Sequence, residues 1–361
     1  MIQLSVPTIT EEMKEKVIEI LDGGRFIKGP NVEAFEKEFS HYCGAGYGIS
    51  ANSGTSAIFM ALKALGIGPG DEVIVPSHTF IASATPILMV GAKPVFVDIN
   101  DDYLMDVNDV ENKITSRTKA VICVHLYGRI CDMEKLLELK EKHGFALVED
   151  CCQAHGAEYD GKRAGSFGDI GCFSFFPSKN MTVAGDGGMA VTSDTTLYRT
   201  MTMLRDHGRD YSMKEGKFKS TMLGYNFRMS ELSAAIGSCQ LKSIDEWSER
   251  RRDIAKQYNE LLTDKLIKPI PAKKKTHVYH LYVTRTKKRD ELKDFLHKKD
   301  IETGIHYPVP VHKQPIFEDC YLPKTERACG EILSLPMYPL LSDEQVTQIC
   351  DRINEFFELQ C

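Results

Sequence analysis

Six apolar runs of strand length, set between segments of helical periodicity, leave this chain few folds. The runs are DEVIVP (71–76), AKPVFVDI (92–99), KAVICVH (119–125), FALVED (145–150), IGCFSFF (170–176) and GGMAVTS (187–193), all rich in β-branched and aromatic residues. Between them, SAIFMALKALG and MEKLLELKEKHG carry helical spacing. Strand and helix in alternation build a largely parallel α/β sheet that is buried on both faces. ITEEMKEKVIEILDGG, with apolar Met13, Val17, Ile18 and Leu21 and a stop at Gly23-Gly24, predicts an N-terminal helix. A long helical connection runs from Ser230 to about Leu262, and HVYHLYVTR, RDELKDFLHKK and DEQVTQICDRINEFFEL then predict a smaller α/β unit. A chain of 361 residues exceeds the size at which single cores stop growing, so two domains are expected, 1–247 and 248–361, divided near Trp247.

The charge balance excludes several partners. With 45 basic against 51 acidic residues the formal charge is -6, which gives a phosphate polymer no footprint, so no nucleic acid is expected. The densest basic run, Lys273-Lys274-Lys275, stands beside Pro269 and Pro271 and reads as a solvated loop. No segment has the length of a membrane-spanning helix, and MIQLSVPTITEEMKEK lacks the charged-then-apolar order of a signal peptide, so a cytoplasmic protein that does not meet a membrane is expected. The eleven cysteines form no CxxC pair, which favours reduced, buried thiols over a metal site.

Ligands of open α/β sheets gather at the carboxyl ends of the strands, and three of those ends carry chemistry. Asn52 to Ser56 of NSGTSAIFMAL precede a helix expected to begin near Ala57, where free N–H groups make an anion site; an ordinary Ser/Thr cap is the plainer account. Glu149 and Asp150 close a buried strand, where a carboxylate is costly unless a cation answers it or it caps a neighbouring element, and Gln153 follows within reach. Lys179 follows the next strand, five residues after Ser174. Lost solvation there lowers an amine's pKa towards its nucleophilic form, the condition for a Schiff base, although a lysine in a connecting loop usually points at water. Gly185, Gly187 and Gly188 let the backbone come close to a ligand. No lysine-serine pair follows GDGG, no GxGxxG follows a strand, and no Gly-x-Ser-x-Gly elbow accompanies a suitable acid and histidine, which disfavours nucleotide folds and triad hydrolases. A phosphate site, a buried carboxylate and a desolvated lysine together suit pyridoxal 5'-phosphate, whose ring nitrogen stays protonated beside a carboxylate such as Asp150.

GPNVEAFEKEF, NSGTSA, DEVIVPSHTFIASA, VHLYGRICDM, VEDCCQAHGA, FSFFPSKN, GDGGMAVT, GYNFRMSELSAAIG and GIHYPVPVHKQP occur in this order over nearly the whole chain. In that order they resemble the sugar aminotransferase (DegT/StrS) family of fold-type I pyridoxal phosphate enzymes. The resemblance implies an α/β large domain with a mostly parallel central sheet, a smaller C-terminal α/β domain, and a homodimer with active sites at the subunit interface. It implies that Lys179 joins the cofactor and carries protons, that Asp150 partners the ring nitrogen, that Gln153 neighbours the phenolic oxygen, and that Phe80 stacks on the ring. Gly54, Thr55, Ser56 and Ser174 match phosphate binders, Asn226 resembles a residue reaching the phosphate from the other subunit, and His306 and Tyr307 match a sugar-lining segment, with a packed turn as their plainer account.

The activity so implied moves an amine from L-glutamate to a nucleotide-linked keto sugar. Lysine at 179, where dehydratase relatives carry histidine, favours amine transfer. Gln153, where other branches carry His or Glu, favours C3 of a hexulose or a cyclitol over C4. Arg129 and Cys131 depart from the family's usual polar residue and alanine. Two other readings stay open: a pyridoxal phosphate-binding regulator without turnover, and an enzyme of amino acids in which Arg228 meets the substrate carboxylate.

Overall fold

The computed structural model describes residues 1–213, 218–271 and 276–359. The lysine run at 273–275, read from the sequence as a solvated loop, lies outside them.

All six runs become strands of one sheet, and a seventh strand joins them that the sequence reading left unassigned. In chain order they are β1 (Tyr47–Ala51), β2 (Glu72–Pro76), β3 (Lys93–Val97), β4 (Thr118–Val124), β5 (Ala146–Asp150), then a short hairpin of β6 (Glu158–Tyr159) and β7 (Lys162–Arg163), and β8 (Ile170–Ser174) and β9 (Gly188–Thr192). The sheet runs β1-β9-β8-β5-β4-β2-β3. Neighbours from β8 to β3 are parallel, and β9 alone runs against both its neighbours. This inversion places Gly188 opposite both Ala51 and Ser174, so the ends of β1 and β8 meet at one point. Only glycine fits there, because a Cβ at 188 would lie 2.3 Å from the Ser53 carbonyl carbon. Helices pack on the sheet, whose strands are largely buried apart from their ends, Lys119 of β4 and the first three residues of the edge strand β3.

The N-terminal helix spans Glu11–Gly23, capped by the Thr10 hydroxyl and ended by Gly24 at φ 67°. Its buried face differs from the one expected. Met13 packs with Ile236 and Cys239 with Val17 beside them, and Ile20 is buried further along the same i, i+4, i+7 stripe, which leaves Ile18 and Leu21 more than half exposed.

The stretch from Ser230 forms two helices, Glu231–Leu241 and Ile244–Leu261. The second bridges two cores: Ile244 packs with the sheet, whereas Ile254, Ala255 and Tyr258 pack with Tyr282, Leu292, Leu333, Ile349 and Ile353. That second core is framed by β10 (Tyr282–Arg285), β11 (Ile332–Leu335), and helices Arg289–Lys298 and Asp343–Glu358, the last opened by a Ser342/Gln345 capping box. The chain after 247 is not confined to it, since Val278, Leu281, Val311 and Ala328 return to the sheet core.

Candidate active site

The carboxyl ends of β1, β2, β5 and β8 enclose a cavity of about 420 Å³. The helix after β1 begins at Gly54, three residues earlier than expected, because the Ser53 hydroxyl accepts from the Ser56 N–H at 3.1 Å and caps it. Gly54 and Thr55 are thereby its first residues, with backbone N–H groups that the helix itself leaves unpaired, and both line the cavity with Ser53. Ser174 and Ser178 join them from the β8 side. A Cβ on Gly54 would lie 2.8 Å from the Ser174 Cβ and 2.9 Å from the Cys152 sulfur, so glycine keeps this cradle open.

Glu149 and Asp150 part company because successive strand residues face opposite sides of the sheet. Glu149, fully buried, accepts from the N–H groups of Gly165 (2.8 Å), Phe167 and Gly168 (both 2.7 Å) and from His125 Nε2 (3.0 Å), so it fastens the 165–168 loop and has no part in the cavity. Asp150 faces the cavity. Its Oδ2 accepts from the Ser83 hydroxyl at 2.6 Å and its Oδ1 from the Cys152 N–H at 3.1 Å, both neutral donors that leave its charge in place.

Lys179 lies in the turn after β8, and it alone among the described lining residues is a cation. Burial strips water from its amine and lowers its pKa, while Cys152 and Asp150 pull the other way.

Gln153 is held by the Tyr127 N–H, which donates to its Oε1 at 2.6 Å. Its amide nitrogen is thereby left to donate, and it meets the Tyr307 hydroxyl at 3.1 Å. Tyr127 in turn donates from its own hydroxyl to the His306 carbonyl, with His78 Nε2 on the same oxygen at 2.7 Å. His306 Nδ1 lies 2.8 Å from the Ser334 hydroxyl, and burial, with the Lys179 charge second, pushes its pKa down to about 4. Phe80 closes the mouth beside Tyr307, with ring centroids 5.6 Å apart.

Of the residues read from sequence, Gly54, Thr55, Phe80, Asp150, Gln153, Ser174, Lys179, His306 and Tyr307 line one cavity. Ser56 is buried behind it, bonded to Ser53. Asn226 is exposed, bridged through its backbone to Asp206, and does not line this chain's cavity. Arg228 donates to the buried Asp206 at 2.6 Å and is not in the cavity either. The two departures also lie elsewhere: Arg129 pairs with Asp102 at 3.1 Å, and the Cys131 thiol donates to the Val124 carbonyl. Cys123, His125 and Cys131 come together, yet both imidazole nitrogens are engaged, by Glu149 and the Cys131 N–H.

Sequence reasoning passed over Thr79, Ser83, Cys152, Phe176, Ser178 and Asp186, which also line the cavity. Cys152 and Ser178 stand inside motifs already singled out. Thr79 and Ser83 come together only through the turn at Ile81–Ser83.

A phosphate-sized cradle at a helix start, a carboxylate held by neutral donors and an amine relieved of water fit the phosphate, ring nitrogen and aldehyde of pyridoxal phosphate. Residues 7–354 match the model of the DegT/DnrJ/EryC1/StrS aminotransferase family. The chain belongs to that family. It is 41% identical over 361 residues to the "Pleiotropic regulatory protein" of Geobacillus stearothermophilus, covering 96% of each. It is 43% identical over 347 residues to the UDP-N-acetyl-3-dehydro-alpha-D-glucosamine 3-aminotransferase of Acidithiobacillus ferrooxidans, covering 94% of this chain and 92% of that one. Among solved structures, Streptomyces venezuelae DesV in complex with a ketimine intermediate superposes with a TM-score of 0.92 at 41% identity, over 96% of this chain and 94% of that one. Spr1654 of Streptococcus pneumoniae in its PLP form gives 0.93 at 29% identity, over 100% and 99%. This DegT-family chain is therefore an α/β aminotransferase with the architecture of those enzymes.

Proposed function

We propose that this chain uses pyridoxal phosphate to move an amine from L-glutamate to a keto sugar carried on a nucleotide, at C3 of the sugar. The observation that carries the reading is the meeting of Lys179, Asp150 and the Ser53–Thr55 helix start in one cavity. The name of the Acidithiobacillus relative, a 3-aminotransferase of a UDP-linked keto sugar, supports a nucleotide sugar as acceptor and the C3 preference read from Gln153.

The bound cofactor supplies an electron sink for the carbon that loses its proton. Lys179 Nζ, whose pKa burial lowers, would take up and hand back the proton that moves in each half of the transfer. Asp150 keeps a proton on the ring nitrogen. The N–H groups of Gly54 and Thr55, with the hydroxyls of Thr55, Ser174 and Ser178, bind the phosphate, and Ser56 backs them through Ser53. Gln153 donates to the phenolic oxygen, and Phe80 covers the ring. His306, neutral at pH 7, and Tyr307 meet the sugar hydroxyls. Asn226 reaches the phosphate of the second chain of a homodimer. The chain is divided at about 247/248.

The test is turnover by the purified protein with glutamate and a 3-keto nucleotide sugar, read as one 2-oxoglutarate per amino sugar. Amination of a 4-keto sugar alone would refute the C3 assignment. The Geobacillus relative's name favours a second reading as a regulator, for which cofactor would bind while glutamate produced no 2-oxoglutarate.

A further inference from the structure

We infer that Ser83, backed by Thr79, is a positioning residue for Asp150, fixing the rotation of its carboxylate while leaving its charge directed at the ring nitrogen. The inference rests on the function proposed above and concerns residues that reading does not use.

The geometry sets a one-way chain of hydroxyls. Ser83 Oγ lies 2.6 Å from Asp150 Oδ2, and an ionised carboxylate only accepts, so the serine proton points at Asp150. Thr79 Oγ1 lies 2.8 Å from Ser83 Oγ, whose one proton is already committed, so Thr79 is the donor there. All three side chains are buried. The chain follows from local folding: the Ser83 N–H bonds to the Phe80 carbonyl at 3.0 Å, and the resulting turn sets residues 79 and 83 side by side while Phe80 points out at 52% exposure.

The choice of donor has a chemical consequence. A lysine or arginine at 83 would also hold the carboxylate, but it would neutralise the charge that must answer a protonated pyridine. The Ser83 hydroxyl, backed by Thr79, and the Cys152 N–H hold one oxygen each with neutral dipoles, and the cavity's cation, Lys179, belongs to another task. A hydroxyl donating to a charged acceptor in a dry site also orients more firmly than the same bond in water.

The test compares wild type, Ser83→Ala, Ser83→Thr and Thr79→Val. Each is reconstituted with pyridoxal phosphate and with its analogue in which carbon replaces the ring nitrogen. Three quantities are read: the single-turnover rate of visible-band loss with glutamate, the dissociation constant of the cofactor, and the nitrogen-15 chemical shift of labelled ring nitrogen. With the natural cofactor, Ser83→Ala should slow the rate about tenfold, shift the nitrogen signal towards neutral pyridine, and leave cofactor affinity within about twofold. Ser83→Thr should restore most of the rate, and Thr79→Val should show a smaller loss in the same direction. With the analogue, the ratio of wild type to Ser83→Ala should fall to about one, because the group through which Ser83 acts is gone.

An unchanged rate and nitrogen shift in Ser83→Ala, or the same tenfold ratio with the analogue, overturns the inference. If Ser83→Ala does not fold, the Thr79→Val pair of measurements decides by the same criteria. Wild-type enzyme that gives no glutamate-dependent loss of the visible band would instead defeat the proposed function, so the two failures are distinguishable.

Discussion

Adjacent acids at 149 and 150 should fail in opposite ways. In Glu149→Gln, an NH₂ replaces one carboxylate oxygen, and whichever end it takes, it faces two donors. At Oε1 these are the N–H groups of Phe167 and Gly168, and at Oε2 the Gly165 N–H and His125 Nε2. His125 cannot relieve the conflict by moving its proton to Nδ1, because the Cys131 N–H already donates there at 3.1 Å. Two stranded donors at about 1–3 kcal/mol each give a loss of about 2–6 kcal/mol, a large part of the roughly 5–15 kcal/mol that holds a domain folded. Asp150→Asn strands nothing comparable, since its carbonyl can still accept from Cys152 and its amide can donate to a rotated Ser83, so stability should change by less than about 1 kcal/mol. Transfer should nevertheless fall by at least about a hundredfold. The assay is urea unfolding of the cofactor-free proteins, with midpoints compared at equal slope, alongside glutamate half-reaction rates for the folded fractions. A Glu149→Gln protein as stable as wild type, or an Asp150→Asn protein that retains transfer, would refute the assignment of these two carboxylates to structure and to chemistry.

Gly54→Ala drives a Cβ to within 3 Å of Ser174 and Cys152, so it should cost about 1–3 kcal/mol in thermal unfolding and weaken cofactor binding more than tenfold by titration. His78, His277 and His306 have pKa values lowered to about 4, 3 and 4, burial being the leading cause in each. The unfolded chain therefore binds protons that the folded one refuses. The stability these three contribute should be full above about pH 6.5 and fall towards pH 4 by up to about 1.4 kcal/mol per pH unit for each histidine; a melting temperature unchanged from pH 7 to pH 5 would contradict this. If Asn226 reaches the partner's site, then mixing inactive Lys179→Ala with inactive Asn226→Asp and letting the chains re-pair should restore about a quarter of the sites. No recovery after confirmed exchange would remove both the shared site and the role of Asn226.

The sheet was legible because each strand run carried its own β-branched signal and each was bounded by turn residues. β1, YGISA, was not: with three small residues in five it lacks the bulk that marks a strand, and its place is fixed by pairing with β9. Lys179 and Asp150 were legible because a lysine and an acid at strand ends need a reason to be there. Glu149 was inseparable from Asp150 on paper, since only the pleat tells which of two neighbours meets the cavity. Ser83 and Thr79 carried no signal as a hydroxyl pair, because their meeting depends on one short turn, and the buried stripe of the first helix depended on which neighbour it packs against. The Arg228 carboxylate reading drew on residue type alone, and its engagement by Asp206 is a tertiary fact.

The most direct test of the central claim is borohydride reduction of the purified protein reconstituted with pyridoxal phosphate, followed by peptide mass mapping. The account predicts a visible chromophore that glutamate bleaches, and a reduced cofactor fixed to the peptide carrying Lys179 and to no other. A cofactor mass on a different lysine, or a protein that takes up no chromophore, would contradict it.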